Sequence, residues 1–132
     1  MKKVEALYIV DDDNVYQFLA KRTIENTGLT GTITPFSNGQ EAIHSLKAAI
    51  KNNDILPDMI LLDLTMPVLD GWGFLEDFSL IKEQLKKKIR LFVVSSSINP
   101  ADIERAKQIE DVTDYVVKPI TAEKFREMLG TI

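Results

Sequence analysis

The segment MILLDL, residues 59–64, runs four apolar residues straight into Asp63. An apolar run without alternation fits a strand covered on both faces, as in a parallel sheet flanked by helices. The rest of the chain repeats this theme. VEALYIV at 4–10 and IRLFVV at 89–94 are strand-like, and GTITPF at 31–36 and DYVV at 114–117 read as shorter strands. Pro35 marks GTITPF as an edge strand, where a missing N–H breaks no ladder. Between the strands, apolar residues recur at helical spacing. Residues 14–28 carry Val15, Phe18, Leu19 and Ile24, with Asn14 as the predicted cap and Gly28 as the stop. Residues 40–50 put Ala42, Ile43, Leu46, Ala49 and Ile50 on one face, and residues 71–88 predict a third helix capped by Asp70. NPADIERAKQI at 99–109 opens with Asn99 as cap and Pro100 at the first helical position; TAEKFREML at 121–129 is a last helix led by Thr121.

Five strands alternating with five helices specify an α/β domain with a five-stranded parallel sheet, doubly wound; its size and the handedness of its connections suit the flavodoxin-like strand order 2-1-3-4-5. The 132 residues suit one domain spanning 1–132, and no repeat or linker interrupts them. The lack of cysteine excludes disulfides, thiolate metal sites and cysteine nucleophiles. With 16 Lys+Arg against 20 Asp+Glu, net −4, there is no basic footprint for direct nucleic-acid binding. The one basic run, residues 86–88, reads as a solvated helix end. No apolar stretch approaches the ~20 residues of a membrane span. MKKVEALYIV, broken by Glu5, reads as a first strand rather than a signal peptide, so the expected home is the cytoplasm.

Polar residues gather where the strands end. The first strand ends in Asp11, Asp12 and Asp13, the third in Asp63, the fourth in Ser95, Ser96 and Ser97, and the fifth in Lys118 before Pro119. In open α/β sheets ligands bind at the carboxyl edge, at the point where strand order reverses. In the expected order that point lies between strands one and three, between the two aspartate clusters. Crowded carboxylates repel unless a cation joins them, and hard oxygen donors in a compact, hydrated site suit Mg²⁺. A metal, a hydroxyl and a lysine around a central acid make a phosphoryl-transfer site. Taken singly, the residues have plainer readings: Asp13 and Asn14 can start a helix, Trp72 and Tyr115 can pack, and His44 can sit on the surface.

YIVDDD, LLDLTMPVLDG, FVVSSS and DYVVKPI together resemble the receiver domain of two-component response regulators, over almost the whole chain and in the right order. The layout is similar to a stand-alone receiver of the chemotaxis type. The resemblance implies that Asp63 accepts a phosphoryl group, and that Asp11, Asp12, Asp63 and the backbone carbonyl of Thr65 hold Mg²⁺. It implies that Ser95 and Lys118 bind the phosphoryl group and that the Lys118–Pro119 bond is cis. Ser95 and Tyr115 would form the switch, signalling through helix four, strand five and helix five. The partners implied are a sensor histidine kinase or histidine phosphotransfer protein, docking near the first helix, and a downstream target protein. No membrane or nucleic-acid partner is implied, and the expected state is a monomer or a phosphorylation-dependent dimer.

Such a protein is not an enzyme beyond transferring to and from itself. Thr65 and Ser97 stand at positions that affect water access, and neither readily orients a hydrolytic water. Unassisted dephosphorylation is therefore expected not to be especially fast. The rival expectation is a haloacid-dehalogenase-type Mg²⁺-dependent phosphatase, whose nucleophile motif fits residues 11–15. That alternative lacks a downstream acidic pair and leaves Asp63 without its role.

Overall fold

The computed structural model describes residues 4–66 and 69–130. Five strands, β1 (Val4–Val10), β2 (Thr30–Phe36), β3 (Met59–Leu62), β4 (Arg90–Ser95) and β5 (Val112–Val117), alternate with five helices. These are α1 (Asn14–Glu25), α2 (Gly39–Asn52), α3 (Gly71–Ile81), α4 (Pro100–Gln108) and α5 (Ala122–Gly130). The sheet has the order β2-β1-β3-β4-β5, and every pairing is parallel. The fold class is the one expected from the alternation, and the strand order the one expected from chain size and connection handedness.

The continuous apolar run of β3 is explained by two cores, one on each face. Ile60 and Leu62 join Phe74 and Phe78 of α3 and Leu46 of α2. Met59 and Leu61 join Ile24 of α1 and Phe125 of α5. All four β3 residues are buried, because period-2 alternation then sends each to one of two covered faces. β2 lies at the edge, and Pro35 sits in register with Ile9 of β1. No described helix is long and apolar enough to cross a membrane.

Local chemistry sets the element ends, in places differently from expectation. Asp13, not Asn14, caps α1: its side chain accepts from the backbone N–H groups of Val15 and Tyr16. Asn14 is the first helical residue, and of the two competent capping side chains the extended residue wins. α1 stops at Glu25, and Gly28 follows in the left-handed region at φ +70°. Asp70, Asn99 and Thr121 cap α3, α4 and α5 through the N–H groups of Gly73, Ala101 and Lys124. α3 ends at Ile81 and a single 3-10 turn over 82–84 follows, so the expected helix to residue 88 is too long. Beyond Ile81 only Leu85 and Ile89 offer apolar contact before β4, and the lysines gain more elsewhere. Lys86 donates to Asn53, and Lys87 to the carbonyl of Leu56 and to Asp58. The basic run is thus a tie across to the loop before β3 rather than a helix end.

Candidate functional site

The chain places its polar strand ends on one edge of the sheet. Asp11 follows β1 and its N–H donates to the carbonyl of Phe36, while Asp63 follows β3 and its N–H donates to the carbonyl of Val10. The two aspartates therefore leave adjacent strands at the same height. Both are buried, at 2% and 7% exposure, whereas Asp12 is exposed at the mouth. One oxygen from each of Asp11, Asp12 and Asp63 lies within 4.8 Å of the others. Ser95, 3% exposed, ends β4, and its carbonyl accepts from the N–H of Lys118.

Lys118 is aimed inward from the end of β5, ahead of a cis bond to Pro119. Its ammonium lies 2.6 Å from Asp11 Oδ2 and 3.6 Å from Asp63 Oδ2. It therefore bridges both buried acids, with Asp11 as the closer partner. Behind it, the ammonium of Lys124 holds the turn by donating to the carbonyls of Val117 and Pro119. The start of α3 closes the floor: the N–H of Gly71 donates to Leu64, and a Cβ here would come within 2.6 Å of Leu64 Cα. Only glycine permits that approach.

Electrostatics mark Asp63 as the strained member. Burial, reinforced by the Asp11 charge, pushes its carboxyl from 3.8 up to about 6. Lys118 and the N–H groups of Thr65 and Leu64 oppose the rise without cancelling it. Burial also raises the Tyr16 phenol, with Asp11 and Asp63 adding to the effect. The donor set tests well for a hard divalent cation. Three carboxylates converge, one at the solvent mouth, and a cation among them relieves their repulsion.

The expected switch residues lie together but are linked through a third. Tyr115 is turned inward at 9% exposure, and its hydroxyl donates to the carbonyl of Ser97. The N–H of Ser97 donates to Ser95 Oγ, and its hydroxyl donates to Asp102 on α4. Ser97 is therefore the joint between Ser95, Tyr115 and α4. Thr65 is exposed, with its backbone beside the Asp63 carboxylate. His44 is exposed on α2. Trp72 packs on α4, with the Arg105 guanidinium 3.9 Å from its ring centre. Pro67, in the loop after Asp63, lies outside the described residues.

Two neighbours of the site leave no signal in the sequence. The Gln17 amide donates to the carbonyls of Asp11 and Phe36, fixing the β1 end to the edge strand. The Tyr16 ring covers Lys118, whose Nζ stands 4.1 Å from the ring centre. Both lie in the first turn of α1, where helical spacing alone gives no hint of what crosses above.

The five-stranded parallel sheet, with an acid cluster and a lysine at its carboxyl edge, is the layout that the receiver resemblance implied. The response regulator receiver domain family matches residues 7–130, and the chain belongs to that family, whose members work in two-component signalling. It is similar to a two-component response regulator from Cytophaga hutchinsonii, with a TM-score of 0.89 and 28% identity. That match covers 98% of this chain and 96% of the other. It is 29% identical to a probable methanogenesis regulatory protein, FilR2, of Methanothrix harundinacea, over 96% of this chain and 79% of FilR2. It is 30% identical to the sensor histidine kinase CheAY of Helicobacter pylori over 86% of this chain, which spans only 13% of CheAY.

Proposed function

We propose that this chain is a phosphorylation-operated switch in which Asp63 accepts a phosphoryl group from the phosphohistidine of a sensor histidine kinase or histidine phosphotransfer protein. The observation that carries this reading is the convergence of Asp11, Asp12 and Asp63 with Lys118 bridging the two buried acids. In the transfer, an Asp63 carboxylate oxygen forms a bond to phosphorus as the bond from phosphorus to the histidine nitrogen breaks. The electron pair stays with the imidazole, and an acyl phosphate remains on the protein. Mg²⁺ held by Asp11, Asp12, Asp63 and the Thr65 carbonyl would neutralise charge on the phosphoryl oxygens.

The chain's own residues do the rest. With its carboxyl near 6, Asp63 is mostly ionised at neutral pH and able to attack. Lys118 shifts from Asp11 toward the new phosphoryl oxygens, and the Ser95 hydroxyl donates to them. Because Ser97 joins Ser95, Tyr115 and α4, a pull on Ser95 reaches the face made by α4, β5 and α5. The partner is expected on α1, where Val15, Phe18 and Leu19 are 69%, 59% and 57% exposed. They lie on the N-terminal half of α1, the end that follows Asp12 in the chain, and would fit a helix that brings its phosphohistidine to Asp63. We place this activity in the cytoplasm and assign no turnover chemistry on outside substrates.

The test is incubation with Mg²⁺ and acetyl phosphate, read by intact mass and peptide mapping. One phosphoryl group per chain, on Asp63 and lost in Asp63→Asn, is the expected result. Labelling that survives Asp63→Asn, or sustained turnover of a phosphate ester, would return the reading to the phosphatase alternative.

A further inference from the structure

Tyr16 stands in the first turn of α1 with its ring against Lys118. The ammonium is held from two sides, by the ring face at 4.1 Å from its centre and by Asp11 Oδ2 at 2.6 Å. Cation–π attraction is strongest when the cation is partly desolvated, as Lys118 is here. The phenol oxygen is itself buried and, among the described residues, has no hydrogen-bond partner. A buried donor without an acceptor destabilises the fold and demands an explanation. The anions that act on this phenol are Asp11 and Asp63, the acids of the site.

We propose that Tyr16 is a positioning and phosphoryl-binding residue: its ring seats Lys118, and its hydroxyl donates to a phosphoryl oxygen carried on Asp63. This rests on Asp63 being the phosphoryl acceptor. A phosphoryl group reaches further from the β3 end than the carboxylate does, and brings strong acceptor oxygens toward Lys118 and the ring that covers it. The hydroxyl is then unpaired before phosphorylation and paired after it. A bond made only in the modified state favours that state, so the residue biases the switch as well as filling space. The plain alternative is packing, since Tyr16 also borders the core between the sheet, α1 and α5.

Two substitutions separate the parts of the side chain. Tyr16→Phe keeps the ring and removes the hydroxyl; Tyr16→Leu removes both. Each is compared with wild type for thermal melting without ligand and for calorimetric binding of beryllofluoride, a phosphoryl mimic, in the presence of Mg²⁺. We expect Tyr16→Phe to melt at or above wild type yet bind beryllofluoride about tenfold more weakly, as loss of one charge-assisted hydrogen bond implies. Tyr16→Leu should bind more weakly still, because Lys118 loses its seat. Unchanged binding in Tyr16→Phe would overturn the proposal, as would weaker binding that merely follows a lower melting point. Wild type is labelled with acetyl phosphate in parallel. If Asp63 is not modified there, the acceptor reading itself fails; if it is modified and Tyr16→Phe is unaffected, only the role of Tyr16 falls.

Discussion

Asp63→Asn should stabilise the metal-free protein. The carboxyl is held at about 6 in the folded chain, against 3.8 ordinarily, because it is buried beside Asp11. Between those values the folded state binds more protons than the unfolded state, so stability falls as pH rises through the window and stays low above it. At 1.36 kcal/mol per pKa unit, keeping Asp63 ionised costs about 3 kcal/mol. The carboxylate lies next to the exposed Asp12 at the solvent mouth, so screening trims the cost to about 1–2 kcal/mol. Asparagine keeps the shape and an acceptor oxygen without the charge. The variant should therefore match wild type near pH 4, draw ahead through pH 4 to 6, and hold a constant lead above that. For a chain of this size the lead is about 4–8 °C in melting temperature. Urea unfolding with EDTA across that pH range is the assay. Saturating Mg²⁺ should shrink the lead, because it stabilises wild type through a ligand that the variant has lost. A variant no more stable than wild type at pH 7.5, or a lead independent of pH, would mean that the buried Asp63 charge does not destabilise the fold.

Lys118→Met should raise the Asp63 carboxyl beyond 6, since Lys118 is the cation that opposes the rise; an NMR titration of the side-chain carboxyl checks this. Phe18→Glu should cut phosphotransfer from a histidine-bearing partner about tenfold, the scale of an interface anchor, yet leave modification by acetyl phosphate intact. Equal loss with both donors would mean that the substitution damages the site rather than the docking face. Gly71→Ala puts a Cβ within 2.6 Å of Leu64 Cα, a backbone atom that cannot turn aside. We expect about 1–3 kcal/mol of destabilisation in urea, with slower modification of Asp63 as the β3 end shifts.

Much of this was legible because parallel α/β chains separate their signals. Apolar runs such as MILL fit doubly covered strands, and the residue that ends each such strand falls on the carboxyl edge of the sheet. That placed Asp11, Asp12, Asp63, Ser95 and Lys118 together from sequence alone. The caps at Asp70, Asn99 and Thr121 were equally readable, since each needs only its own backbone. Where two residues compete for one role, local chemistry does not decide. Asp13 and Asn14 are both good caps, and the path of the chain out of β1 chose Asp13. Lys86 and Lys87 fit a helix end until Asn53, Asp58 and the Leu56 carbonyl lie within reach.

The sheet, its two covered faces and the cast of residues at its edge are written in the order of residues along the chain. Tertiary structure alone decided who touches whom among them. It brought Lys118 nearer to Asp11 than to Asp63, made Ser97 the joint between Ser95 and Tyr115, and laid Tyr16 over the lysine. The physical reason is range. Burial and periodicity are written residue by residue, while ångström-scale pairing depends on how α1 and the β5 end cross above the same strand edge.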